Sequence, residues 1–126
     1  MPSTLQRLDT ALIPATRKLT ALGDALYNSR GEGFNPTQQE DIGIIYNAAW
    51  DFQSALVAQM DTLCALDALR LQKLRHDLKN RLNLVIGYAS LLKREASSNI
   101  SSAQQVILQG MLATGETIMR QLDELR

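Results

Sequence analysis

Arg75-His76-Asp77-Leu78-Lys79-Asn80-Arg81-Leu82-Asn83-Leu84-Val85-Ile86-Gly87-Tyr88 holds the chain's single histidine, and its spacing predicts an amphipathic helix with a chemically distinct outer face. At about 100° per residue, with His76 set at zero, Leu74, Leu78, Leu82, Val85, Ala89 and Leu92 fall between about 160° and 240°. They form one apolar stripe. Asn80, Asn83 and Gly87 fall within about 40° of His76, so the imidazole is expected on the exposed face, with an amide one turn below and a glycine further along. Leu84 and Leu91 lie about 80° and 60° from it, outside the stripe but beside the histidine. Exposed apolar positions of this kind suggest a protein contact, with Gly87 between them leaving room for close approach. Packing of both leucines against a neighbouring helix is the competing use.

Read as a motif, Arg75-His76-Asp77 with Asn80 at the fourth position after the histidine and Leu82 at the sixth resembles the phosphoacceptor box of two-component histidine kinases. It is similar above all to the form Arg-His-Asp-x-x-Asn-x-Leu, found in one kinase subgroup and in sporulation-type histidine phosphotransferases. The continuation Val85-Ile86-Gly87-Tyr88-Ala89-Ser90-Leu91-Leu92 resembles the commoner kinase version. Residues 74 to 93 carry this likeness, and the rest of the chain shares only a helical pattern with the family. One position departs from the common box, which has proline where this chain has Arg81. Arginine there favours the proline-free subgroup and a straight helix.

The resemblance implies a dimerisation and histidine-phosphotransfer domain that passes a phosphoryl group between His76 and the aspartate of a response-regulator receiver domain. A neutral imidazole nitrogen is a competent nucleophile near neutral pH. Asp77 is placed to hydrogen-bond the other ring nitrogen or accept its proton. Asn80 is expected to orient a water or an acyl-phosphate oxygen. Arg75 and Lys79 flank the site and can offset phosphate charge. No bound cofactor is expected, Mg2+ being supplied by the receiver. After residue 96 there is room for one more helix, with no glycine-rich lid and no Asp-x-Gly-x-Gly nucleotide site. The chain should therefore accept or relay phosphate made elsewhere, by a histidine kinase or a separate ATP-binding domain. The competing class is a helical dimerisation or signalling module in which the box is no longer phosphorylated.

Charge is balanced overall but not along the chain: residues 1 to 66 carry 4 basic and 7 acidic side chains, and residues 67 to 126 carry 9 and 6. The basic excess surrounds the histidine, at Arg70, Lys73, Arg75, Lys79 and Arg81. Such a cluster attracts an acidic protein pocket or a nucleic-acid backbone. Aromatic interleaving is absent and a leucine stripe runs through it, which favours the protein pocket over nucleic acid; a solvated helix face is the plain alternative.

With 126 residues, 45% of them hydrophobic, the chain suffices for one compact domain or two small helical modules. No run approaches the length needed to span a bilayer, and Met1-Pro2-Ser3-Thr4 lacks the basic and apolar regions of a signal peptide. The expected location is cytoplasmic, away from membranes. Cys64 has no second cysteine to pair with and reads as a packed small apolar residue.

Moving toward the N-terminus, Leu5, Leu8, Leu12, Ala15, Leu19, Leu22 and Leu26 predict a helix between Ser3 and Asn28. Pro14 predicts a kink or fresh start near residues 10 to 14. Asn28 to Phe34 reads as a loop; its two glycines follow no strand and precede no Gly-Lys-Ser/Thr, so a phosphate cradle is not indicated. Asn35, Pro36 and Gln38 then open a helix as N-cap, first helical residue and capping-box partner. Ile42, Ile45, Ala49, Phe52 and Leu56 stripe it, with Tyr46 and Trp50 on a flank. The stripe continues through Met60, Leu63, Leu66, Leu69, Leu71 and Leu74. From Thr37 to Ala96 there is no proline and no turn cluster, Asp61-Thr62 and Asp67 being the weakest points, so a single central helix about 90 Å long is expected.

Beyond the box the chain turns at Ser97-Ser98-Asn99-Ile100. Ser101 and Gln104 repeat the capping box before a last helix striped by Leu108, Met111, Gly115, Ile118, Leu122 and Leu125. The ending Leu122-Asp123-Glu124-Leu125-Arg126 carries no helix stop, which leaves room for a longer natural protein.

At an offset of 66 residues the caps and stripes coincide: Asn35 with Ser101, Gln38 with Gln104, Ile42 to Leu56 with Leu108 to Leu122, and Leu8, Leu12, Leu19 and Leu26 with Leu74, Leu78, Val85 and Leu92. Thr10 occupies the histidine slot of the first copy and Pro14 the asparagine slot. The expected fold is thus all-α, with two antiparallel helical hairpins, 1–66 for dimerisation or signalling and 67–126 for phosphate acceptance. A lone hairpin cannot bury its stripe, so the hairpins must combine into four-helix bundles. The unbroken central segment favours a homodimer with two stacked bundles. Folding back near Asp61 to Asp67, which gives a single-chain mimic of the kinase dimer, is the alternative.

Overall fold

The computed structural model describes residues 8–59, 67–96 and 99–124. The described residues form a π-helical turn, Leu8–Leu12, followed by four α-helices: α1 (Ile13–Asn28), α2 (Pro36–Gln59), α3 (Ala68–Glu95) and α4 (Ser102–Asp123). Consecutive helices pack against each other, and α1 packs on α4, so each helix has two main neighbours and the four close an all-helical bundle. Among the described residues no helix is long and apolar enough to cross a membrane.

The predicted stripes meet in one shared core. Leu19 and Leu26 from α1, Ile42, Ile45, Ala49, Phe52 and Leu56 from α2, Leu78, Leu82, Val85, Ala89 and Leu92 from α3, and Leu108, Met111, Ile118 and Leu122 from α4 are all fully buried. Burial of the large apolar side chains among these, each contributing about 1.5–3 kcal/mol, holds together helices whose individual propensity is marginal in water.

Local chemistry explains the ends. Pro14 sits in the first turn of α1, where its missing N–H leaves no helical bond unmade. The π-helical turn runs directly into α1, Leu12 at the join being helical at φ −74° and ψ −44°, so the irregularity expected near residues 10 to 14 is a widened turn and not a break. Buried Thr16 donates back to the Leu12 carbonyl at 2.7 Å, so its hydroxyl is satisfied inside the core. Both capping boxes form. Gln38 N donates to Asn35 Oδ1 at 2.8 Å and Asn35 N to Gln38 Oε1 at 3.0 Å. The Ser101 and Gln104 pair does the same at 3.2 and 3.1 Å.

The two capped turns also touch. Asn99 Nδ2 donates to the Gly33 carbonyl, and Gln104 Nε2 donates to the carbonyls of Ser29 and Glu32, each at 2.9 Å. Gly33 has φ of 87°, and a Cβ there would collide with the Asn99 carbonyl oxygen, so only glycine fits this crossing. The α1–α2 and α3–α4 turns therefore lie at the same end of the bundle. Tyr46 stacks on Tyr27 with ring centroids 4.4 Å apart, and Trp50 Nε1 donates to Asp24 Oδ1 at 2.9 Å. The two flank aromatics thus tie α2 to α1.

The single central helix is corrected. α2 ends at Gln59, α3 begins at Ala68, and the two pack side by side within the chain, which a continuous rod cannot do. Asp67 caps α3 by accepting from Arg70 N at 2.8 Å, so one of the weak points marks a helix start. The phase of the stripe is reset there. Leu69, read as a continuation of the α2 stripe, is 61% exposed; it lies two turns before His76 on the same outward face, and Leu71 and Leu74 are only partly buried. Met60, Asp61, Thr62, Leu63, Cys64 and Leu66 lie outside the described residues, as do Leu5, Ser97, Ser98 and Leu125.

Candidate functional site

α3 is the element on which every predicted site residue stands. Its N-cap is Asp67, and Lys93 and Arg94 lie in its last turn, charges that complement the carbonyl end of the helix dipole. Five fully buried residues, Leu78, Leu82, Val85, Ala89 and Leu92, fix its rotation in the bundle. That rotation leaves His76, Asp77 and Asn80 exposed, and Arg75 and Lys79 half-buried.

His76 and Asn80 share a shallow depression of about 650 Å³ with Leu69, Gln72, Lys73, Arg75, Asp77 and Lys79. Among the described residues, all of its lining comes from α3, so it is an open shelf along one helix. Among the described residues the His76 ring has no hydrogen-bond partner.

The charged neighbours are held in specific ways. The Asp77 carboxylate accepts from Arg81 Nε at 3.1 Å, a bond to the next turn of the helix. Arg81, the residue that replaces the proline of the commoner box, thus takes the aspartate that was expected to serve the histidine. Lys79 Nζ lies 2.6 Å from Asp123 Oδ1, which draws its ammonium toward the end of α4. Both pairs join partly exposed side chains, and such pairs contribute about 0.2–1 kcal/mol each.

Further along α3, Leu84 is 49% exposed and Leu91 is half-buried. A Cβ built on Gly87 would meet nothing within 4 Å. The helix face below His76 is consequently open at Gly87 and apolar at Leu84. On the α4 side of the same helix the packing is tight: a Cβ on Gly115 would stand 2.8 Å from Ile86 Cγ1, so the two helices approach closely where the second copy of the repeat has glycine and the first has Ala49.

Comparison of the chain with protein-family models, with curated proteins and with solved structures gives no match. The chemistry must be read from the residues themselves. Among the described residues no group of three or more His, Cys, Asp or Glu side chains is placed to hold a metal ion.

The depression also takes in Leu69, Gln72 and Lys73: the sequence places Lys73 in the basic cluster and Leu69 in the apolar stripe, and gives Gln72 no role. They stand seven, four and three residues before His76, which is the spacing of one helix face. The signal was legible, since helical side chains lean toward the N-terminus and cover the preceding turn. A histidine ring therefore leans over positions three and four before it.

Proposed function

We propose that the chain is a histidine phosphotransfer module, taking a phosphoryl group on His76 from, or returning it to, the aspartate of a response-regulator receiver domain. The observation that supports this most is the exposed His76 ring in one depression with Asn80, on the face of α3 opposite five fully buried side chains. A histidine packed in the core or bonded to a neighbouring helix could not offer its ring in this way.

In the transfer, the lone pair of a neutral imidazole nitrogen attacks phosphorus. The bond from phosphorus to the receiver's carboxylate oxygen breaks, and the electron pair leaves on that carboxylate. The proton on the other ring nitrogen passes to Asp77 or to water. For Asp77 to take it, its carboxylate must exchange Arg81 for the ring, a small rearrangement given the weakness of an exposed pair. Asn80 leans toward the histidine from one turn below and orients an oxygen of the transferring group. Mg2+ comes with the receiver, and the phosphate originates on a separate kinase or ATP-binding domain. A cytoplasmic location goes with this role.

The packing of α2 on α3 and of α1 on α4 within one chain supports a monomer in which the first hairpin replaces the second protomer of a dimeric kinase domain. With Thr10 in the histidine slot, such a monomer has one phosphoacceptor. A homodimer remains the outcome that would restore the stacked-bundle arrangement. The test of function is incubation with a phosphodonor and a panel of receiver domains, followed by assay for phosphate that is labile in acid and stable in base. Label on wild type and none on His76→Gln supports the proposal. No label on wild type from any donor would leave a helical module without phosphate chemistry.

A further inference from the structure

Resting on that reading, we infer that Lys73 is the cation that holds the phosphoryl group on His76. Five basic side chains surround the histidine, and their partners separate them. Arg70 lies 3.9 Å from Asp67, Lys79 2.6 Å from Asp123 and Arg81 3.1 Å from Asp77. Arg75 is half-buried. Lys73 is exposed, lines the depression that contains His76 and Asn80, and among the described residues has no ion-pair partner.

Helix geometry points the same way. Side chains lean toward the helix N-terminus, so the imidazole of His76 lies over the turn that carries Lys73, three residues earlier. A phosphoryl group on the far ring nitrogen extends further in that direction. Lys73 lines the same depression, and its four-carbon stem is long enough to turn an ammonium with three donors back to the oxygens of that group. Lys79, three residues on the other side, lines the same depression, but its ammonium is paired with Asp123 at the end of α4. Lys73 therefore neutralises charge on the attached group, and Asn80 orients the incoming oxygen from below.

The experiment uses the full chain and phosphoramidate as a small donor, which removes any contribution from receiver docking. The imidazole nitrogen bonds to phosphorus, the phosphorus–nitrogen bond of the donor breaks with its electron pair leaving on ammonia, and the ring N–H proton goes to water. The rate of acid-labile label is compared for wild type, Lys73→Gln, Lys73→Arg, Lys79→Gln and Lys93→Gln at low and high salt. The last variant removes one charge from the same helix four to five turns away, where Lys93 contacts Gln109.

Lys73→Gln is expected to slow labelling about fivefold at low salt, the factor for losing one exposed charge at about 4 Å. The loss shrinks at high salt, Lys73→Arg restores most of the rate, and Lys93→Gln is unchanged. Equal rates in wild type and Lys73→Gln, or a larger loss in Lys79→Gln than in Lys73→Gln, overturn the inference while leaving phosphate acceptance standing. No label on wild type at any salt overturns the functional reading and this inference with it.

Discussion

Because His76 projects from the side of α3 opposite five fully buried residues, its chemistry and the fold should separate on substitution. His76→Gln is expected to abolish phosphate acceptance while circular dichroism and sedimentation stay as in wild type; acceptance retained, or a lost fold, contradicts the assignment. Asn80→Ala removes an exposed amide, so stability should change by no more than about 0.5 kcal/mol. The effect belongs instead in the rate of transfer or hydrolysis of the bound phosphate, and a destabilisation above about 2 kcal/mol would mark Asn80 as structural. Leu84 is half-exposed, and Leu84→Ser should lower stability by about 1 kcal/mol or less but weaken receiver binding more. A large fall in melting temperature with unchanged affinity would assign the side chain to the bundle. The faces of these three residues were legible from helical period alone. The hydrogen-bond partner of Asp77 was not, because residues one and four positions away compete for the same carboxylate and only built side chains show that Arg81 holds it.

Within the elements, the caps and the crossing of the two turns give sharper stability predictions than the site does. Ser101→Ala removes the acceptor for Gln104 N and should cost about 1 kcal/mol, read from urea unfolding. Gly33→Ala should cost more, about 1–3 kcal/mol, since it combines a left-handed backbone with a collision against the Asn99 carbonyl. A neutral result at Gly33 would mean that the two turns do not meet in solution. Both capping boxes could be read from the Asn35/Gln38 and Ser101/Gln104 patterns, because a cap is a contact over three residues. The further reach of Gln104 to the carbonyls of Ser29 and Glu32 spans more than 70 residues, and no local pattern announces it.

For the molecule as a whole, the repeat at an offset of 66 is matched at the caps of α2 and α4 and along their stripes, while Leu74, paired with Leu8, is only partly buried. The paired caps, Asn35 with Ser101 and Gln38 with Gln104, form the same bonds, and the paired stripe residues from Ile42 to Leu56 and from Leu108 to Leu122 are all buried. We expect a monomer by sedimentation at micromolar concentration, since the stripes that would need a second chain are covered within one. A stable dimer whose formation buries Ile42 or Leu108 afresh would contradict this. Periodicity and capping chemistry sufficed to assign helices, buried faces, caps and the exposed histidine, because each depends on residues one or two turns apart. They could not decide whether the apolar stripe runs on past Asp61 to Asp67 or starts again at Asp67. A segment free of proline and glycine is locally compatible with helix. The choice rests on burying the α2 stripe against α3 and α1 against α4, a free energy that exists only once residues far apart in sequence are brought together.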